Sequence, residues 1–332
     1  MISAERCLEY TELPSEEATR DALPKDEEVD VLMPESEDKC VIYEKVPKDW
    51  PNQGLIEFDH VWLRYSLESE WALKDAHMTI PPRHKVGIVG RTGAGKSTLL
   101  TAIFRLVEIP QGRILIDGVN IHDLKLSDLR GKVSIIPQEP IMFIGTLREN
   151  LDPEGVYADT EMLRVLQIVH LDQMLTTMSD GLDTKISQEG TNLSAGQRQL
   201  VSLARAILRG NKILVVDEAT SNVDPATDVI IQQTIRKEFT DCTVLTIAHR
   251  LHTIMDSDLV LVMEAGQVAE FGEPHELLNS TATSNVSKFA ELVRQVGEEE
   301  AANLCEIARI AYASESNTEK RLQRQKLTEN TL

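Results

Sequence analysis

The chain has 332 residues, a hydrophobic fraction of 42% and a formal net charge of −20. That length holds one large domain or two ordinary ones, and the apolar fraction is enough to fill a core. The negative charge argues against nucleic acid as the main partner, because such a surface needs clustered Lys and Arg.

Residues 1 to about 53 are acidic and punctuated by proline, as in SEEATRDALPKDEEVDVLMPESEDK. They lack a sustained period and read as a largely disordered linker, with a short helix possible at Ala4 to Tyr10. MISAERCLEY has no basic segment followed by an apolar one, so no signal peptide is expected. No run approaches the ~18 apolar residues of a membrane span. The polypeptide as given therefore reads as soluble, which leaves room for work at a membrane through a partner. Cys7, Cys40, Cys242 and Cys305 are scattered without C-x-x-C spacing and read as reduced thiols.

The globular part is expected to begin near Gly54. LIEFDHVWLRY and AHMTI read as strands separated by the polar turn SLESEW. KVGIVG, RILIDG, KVSIIPQ, KILVVDE and TVLTIAH are short, apolar, β-branched runs and read as further strands. Helical patterns run from Lys96 to Val107, Ala195 to Arg209 and Pro225 to Phe239, with Pro225 at a favoured first-turn position. Alternating strands and helices predict an α/β fold with a largely parallel sheet covered on both faces. Residues of roughly 140 to 190 carry helical patterns (DTEMLRVLQIVH, LDQMLTTM) and are too long for a loop, which predicts an inserted helical subdomain. LVLVMEAGQVAEFG reads as a hairpin around Ala265-Gly266. From Gly297 a charged helix leads into a polar tail.

The chemistry starts at GRTGAGKS, Gly90 to Ser97, a full G-x-x-x-x-G-K-[ST] match between a strand and a helix. Its glycines let backbone N–H groups converge on phosphate oxygens. Lys96 reaches the terminal phosphates, and Ser97 offers a hydroxyl to Mg²⁺. KILVVDE supplies Asp217, a carboxylate at a strand end suited to Mg²⁺, and Glu218 beside it, a candidate to orient or deprotonate water. Adjacent strand residues point to opposite faces, so the two address one site only if the backbone turns there. His249 ends TVLTIAH, where it serves either as a bond to a γ-phosphate or as a structural group. Gln138 ends IIPQ and offers an amide to Mg²⁺ or water. Tyr65 either stacks on a base or only packs. TNLSAGQRQLVSLARA adds a second helix start suited to a phosphate, with Ser194 and Gln197 also matching a capping box.

Together these residues resemble the nucleotide-binding domain of ATP-binding-cassette (ABC) proteins over about residues 54 to 296, and more finely subfamily C, the multidrug-resistance-associated proteins. GIVGRTGAGKSTL, SIIPQEPIMFIGTLRENLDP and VVDEATSNVDPATD carry the finer likeness, to the second such domain of those transporters. The resemblance implies a P-loop fold with an antiparallel β subdomain and an inserted helical subdomain at about 140 to 209. Residues 1–53 would follow a membrane domain, and 297–332 would form a C-terminal helix and tail. It implies ATP held by Tyr65, Gly90, Arg91, Thr92, Gly93, Ala94, Gly95, Lys96, Ser97 and Thr98. Mg²⁺ would lie on Ser97, Gln138 and Asp217, with Glu218, His249 and Gln138 catalytic. Ser221 to Asp224 matches the D-loop. Ser194, Ala195, Gly196 and Gln197 match the signature, which in this family covers the nucleotide of a second domain paired head to tail. Membrane-spanning domains are the other implied partner. It implies ATP-driven export of organic, anionic solutes, with the chain at the cytosolic face of the plasma membrane. A gating module of a channel-type relative and a non-catalytic nucleotide-binding fragment are the alternatives. Ala195 stands where most ABC signatures have glycine. Its methyl group is expected to reduce clearance, to disfavour positive φ and to loosen that site.

Overall fold

A computed structural model of the chain describes residues 47, 49–172, 174, 180–219, 223–248, 250–279 and 287–313. Residues 1–46 and 48 of the expected linker, including Ala4 to Tyr10, and the tail from residue 314 lie outside them. The packed part reaches back to Trp50, which is buried and donates its indole N–H to Ile116 O at 2.8 Å. The Asp117 carboxylate then accepts the N–H groups of Asn52, Gln53, Gly54 and Leu55 at 2.7 to 3.2 Å. Four backbone donors on one side chain anchor the chain as it enters the first strand.

Strands β1 (Ile56–Leu63) and β2 (Leu73–Ile80) alternate buried and exposed side chains, the mark of a sheet with one wet face. After β3 (Lys85–Val89) and helix α1 (Lys96–Ile103) come β4 (Gln111–Ile116) and β5 (Val119–Asn120). These form a four-stranded antiparallel sheet in the order β2-β1-β4-β5. RILIDG is a strand as expected, and its partners place it in the antiparallel sheet. Helix α1 stops four residues short of the expected Val107. Arg105 takes φ 45°, and its buried guanidinium donates to Ile121 O and Leu124 O, both at 2.9 Å. Those carbonyls come from distant chain and outweigh local helical preference.

Next come α2 (Leu126–Lys132), β6 (Val133–Ile136), β7 (Gly145–Thr146), α3 (Leu147–Leu151), α4 (Asp159–Ile168) and β8 (Lys185–Ile186). Then follow α5 (Ala195–Arg209), β9 (Ile213–Asp217), α6 (Pro225–Glu238) and β10 (Thr243–Ile247). The chain continues through β11 (Leu259–Glu264), β12 (Gln267–Gly272), α7 (Pro274–Asn279), α8 (Lys288–Arg294) and α9 (Glu298–Tyr312). The main sheet runs β12-β11-β3-β10-β9-β6, parallel except for the edge strand β12. The hairpin turn falls at Ala265 (φ 49°) and Gly266 (φ 84°), the pair of positive φ values that suits strand twist.

Among the described residues, three apolar clusters hold this together. One lies between the antiparallel sheet, α1 and one face of the parallel sheet. A second joins the insert between β6 and β9 to the other face, and a third sits under α8 and α9. Among the described residues no helix is long and apolar enough to cross a membrane.

At Gly112, φ is +80°, and an added Cβ would lie 2.2 Å from His60 O and 2.6 Å from Asp59 O. Gly112→Ala combines a left-handed residue with a backbone clash, so it should cost about 2–5 kcal/mol. Thermal unfolding should show a midpoint several degrees lower; an unchanged midpoint contradicts this packing.

Candidate functional site

Parallel pairing decides where the chemistry sits. Ile247 pairs with both Ile88 and Asp217, and Ile136 pairs with Val216. The carboxyl ends of β3, β10, β9 and β6 therefore form one edge, where α/β sheets bind ligands. The phosphate loop leaves β3, Asp217 ends β9, and Pro137-Gln138 follow β6. The chain after β10 begins with Ala248, whose N–H reaches Ile88 O at 3.2 Å. His249 comes next and lies outside the described residues, as do Ser221 and Asn222 of the D-loop.

The phosphate loop is backed by the hairpin. Gly266 N–H donates to Ala94 O at 3.0 Å, and Gly266 O accepts from Lys74 N–H at 2.8 Å. The hairpin thus ties the loop to the antiparallel sheet. A Cβ at Gly90 would lie 2.4 Å from Met263 O, so only glycine allows this docking. Gly93 (φ 79°) and Gly95 (φ 102°) complete the turn into α1, with Arg91, Thr92 and Gly93 exposed. Lys96 is buried and donates from Nζ to the carbonyls of Gly90 (2.8 Å) and Arg91 (3.2 Å). Burial lowers its pKa, and the carboxylates of Glu218 and Asp217 oppose that shift. The three charges therefore share one site. Ser97 is exposed on the first turn of α1, while Thr98 is buried.

Glu218 resolves the question of facing. It takes φ 47°, and its N–H donates to Ile247 O at 3.2 Å. The strand ends at Asp217, and a left-handed residue turns the chain, bringing both carboxylates within electrostatic reach of Lys96. Left-handed backbone outside glycine costs roughly 1–2 kcal/mol, and such strain gathers at functional sites. Tyr65 is also brought in: its hydroxyl lies 3.1 Å from Thr98 Oγ1 while the residue stays 56% exposed. Beside it, Arg64 lies over the Trp71 ring at 4.6 Å.

Ser194 to Gln197 belongs elsewhere. The capping box is complete, with Ser194 N–H donating to Gln197 Oε1 at 2.8 Å and Gln197 N–H to Ser194 Oγ at 3.1 Å. Leu193 and Leu200 anchor this helix start in the core of the insert, not in the core that holds the phosphate loop. The box uses Ser194 Oγ as an acceptor, so its O–H stays available as a donor. Ala195 is the first residue of α5 and does not take positive φ, so the expected backbone conflict at this position does not arise. The gap left by Gly196 is filled from within: a Cβ there would meet Thr227 Cγ2 at 3.0 Å. Thr227 is held by the Asp224 cap of α6, at 3.0 Å to its N–H and 2.9 Å to its hydroxyl.

Three supporting residues escaped sequence reasoning. Buried Gln199 donates from Nε2 to the carbonyls of Pro137 (3.0 Å) and Gln138 (3.2 Å), tying α5 to the segment after β6. The Gln138 side chain is exposed. Arg205 donates to Ile141 O (2.7 Å) and Asn150 Oδ1 (3.0 Å), and burial pushes its pKa down to about 10. Asn150 in turn donates to the carbonyls of Phe143 and Thr146. A polar residue in a helix pattern carries no signal of such distant carbonyls.

This site is that of an ABC-type nucleotide-binding domain, and residues 73–221 match the sequence model of the family described as ABC transporter. The chain has its finer likeness to subfamily C. It is 47% identical over 312 residues to ATP-binding cassette sub-family C member 4 of Mus musculus, covering 94% of this chain and 22% of that protein. It is 51% identical over 300 residues to the probable multidrug resistance-associated protein lethal(2)03659 of Drosophila melanogaster, covering 90% of this chain and 22% of that protein. The chain thus spans about a fifth of the length of these relatives. The tail GEEEAANLCEIARIAYA resembles that of multidrug-resistance-associated protein 4, in keeping with the first of these matches. The fold matches a bacterial Atm1-family ABC exporter solved with ATP bound, at TM-score 0.68 and 32% identity, over 74% of this chain and 43% of that one.

Proposed function

We propose that this chain binds and hydrolyses ATP with Mg²⁺ as the second nucleotide-binding domain of a subfamily C exporter, acting on organic, anionic solutes. Residues 54–296 are the domain, with the helical subdomain at about 140–209. The observation that carries this is the placement of the phosphate loop, Asp217 and Glu218 at one edge of the parallel sheet, with both carboxylates acting on the buried Lys96 ammonium. The donor set fits Mg²⁺, a hard cation that prefers oxygen: the exposed Ser97 hydroxyl, the half-buried Asp217 carboxylate and the Gln138 amide. Bound there, the ion would neutralise charge on the transferring phosphoryl group. Lys96 and the loop N–H groups hold the phosphates, Tyr65 stacks on the base, and Glu218 orients and deprotonates the attacking water, with His249 and Gln138 as the other catalytic residues.

Ser194 to Gln197 serve a partner domain's nucleotide. Exposed Ile141, Phe143 and Ile144, next to an open groove of about 640 Å³ lined by Ile135, Val156 and Arg205, support a seat for the membrane-spanning domains. Paired with a first nucleotide-binding domain, the chain should release phosphate from Mg-ATP; a pair that binds ATP without turnover would reduce it to a nucleotide-binding fragment. Ala195→Gly should raise ATP affinity at the site built on the partner's phosphate loop, through clearance alone. Equal affinities in a nucleotide titration of the two pairs would remove Ala195 as a cause of asymmetry.

A further inference from the structure

On the wet face of the antiparallel sheet, four side chains meet that the nucleotide site does not use. Phe58 pairs with Met78 and Val61 with Ala76, so Asp59 and His60 together oppose the single residue His77. This is a bulge, and it turns two neighbours on one strand toward one partner. The next irregularity falls on the opposite strand: between Val61–Ala76 and Leu63–Leu73, Trp62 opposes Lys74 and Asp75. His60 (φ 52°) and Asp75 (φ 55°) both take left-handed backbone, which His and Asp tolerate better than most residues. Ordinary pairing would send Asp59 and His60 to opposite faces.

One donor atom from each of Asp59, His60 and His77 lies within 4.8 Å of the other two. The imidazoles stack with centroids 4.6 Å apart and planes 16° apart. His60 Nδ1 lies 2.6 Å from Asp75 Oδ1 and donates to it, which leaves Nε2 as the ring nitrogen for a ligand. A carboxylate behind an imidazole is the usual support of a metal-binding histidine. Asp59 is oriented from its other oxygen, where Arg113 Nε donates to Oδ2 at 2.8 Å, and its Oδ1 lies 3.9 Å from His77 Nδ1. Metal bonds of about 2.0–2.2 Å need donors about 3.3 Å apart, a closure within reach of side-chain rotation. Both histidines are exposed, so the site is open to solvent.

We propose that Asp59, His60 and His77 bind a borderline divalent transition-metal ion, of the zinc and copper class, with Asp75 as positioning residue and water completing the shell. Two imidazoles and one carboxylate suit such ions better than Mg²⁺ or Ca²⁺. The ion would clip β1 to β2.

The test is a Zn²⁺ titration of the purified chain against a chromophoric chelator. His60→Asn keeps a residue suited to left-handed backbone, and His77→Gln keeps size. Wild type should show a saturable site missing from the double variant, and Asp75→Asn should weaken it by about 10- to 100-fold. All four cysteines remain in every variant, so their binding is a common background. Should the double variant unfold, Cu²⁺ electron paramagnetic resonance on wild type decides, with hyperfine coupling to two imidazole nitrogens expected. Identical Zn²⁺ uptake by wild type and folded double variant, or a Cu²⁺ spectrum without that coupling, would overturn the proposal.

Discussion

Glu218→Gln, in a chain paired with a first nucleotide-binding domain, should keep ATP affinity within about twofold and lower turnover by about 10²–10⁴-fold, the range of a general base. The amide keeps the shape of the carboxylate and the same left-handed backbone at φ 47°, so the fold should be kept. What changes is proton affinity and charge. Lys96 feels the Glu218 carboxylate more than that of Asp217, so the variant also removes the larger opposing influence on its buried ammonium. Phosphate release and equilibrium nucleotide binding, measured on the same preparation, separate the two effects. Near wild-type turnover would show that Glu218 is not the base.

The second large effect is stimulation by a partner. The chain alone should be a poor ATPase, and adding a domain with an intact signature should raise its rate by at least ~10²-fold, about the value of one well-placed donor to transition-state charge. The capped helix start at Ser194 is packed in the insert, away from the core that carries the phosphate loop. In the proposed function, the donors for transition-state charge come from another domain. A partner whose own signature serine is replaced by alanine should give no stimulation. An isolated chain that hydrolyses ATP at the paired rate would end the two-domain reading.

The phosphate loop, the strand carboxylates and the capping box were legible because each is encoded within a few consecutive residues. The hairpin at Ala265-Gly266 was legible for the same reason. RILIDG was legible as a strand but not as a member of one sheet, because a short apolar strand looks alike in either; only its partners, β1 and β5, decide. The early end of α1 depended on carbonyls at Ile121 and Leu124. The packing of Gly196 was not legible either, because the side chain nearest to it is Thr227, about thirty residues on.

Residue order alone thus determined which chemical groups this protein owns: a lysine in a glycine loop, two carboxylates after an apolar strand, a capped serine. Local motifs carry their own geometry, since backbone dihedrals and short-range hydrogen bonds set it. The tertiary structure decided which groups share a site. Parallel pairing gathered Lys96, Asp217 and Glu218 on one edge, a left-handed turn aimed Glu218, and two bulges brought Asp59, His60, Asp75 and His77 to one face. Register and bulge position depend on packing between segments far apart in the chain, and a short window of sequence holds no record of that.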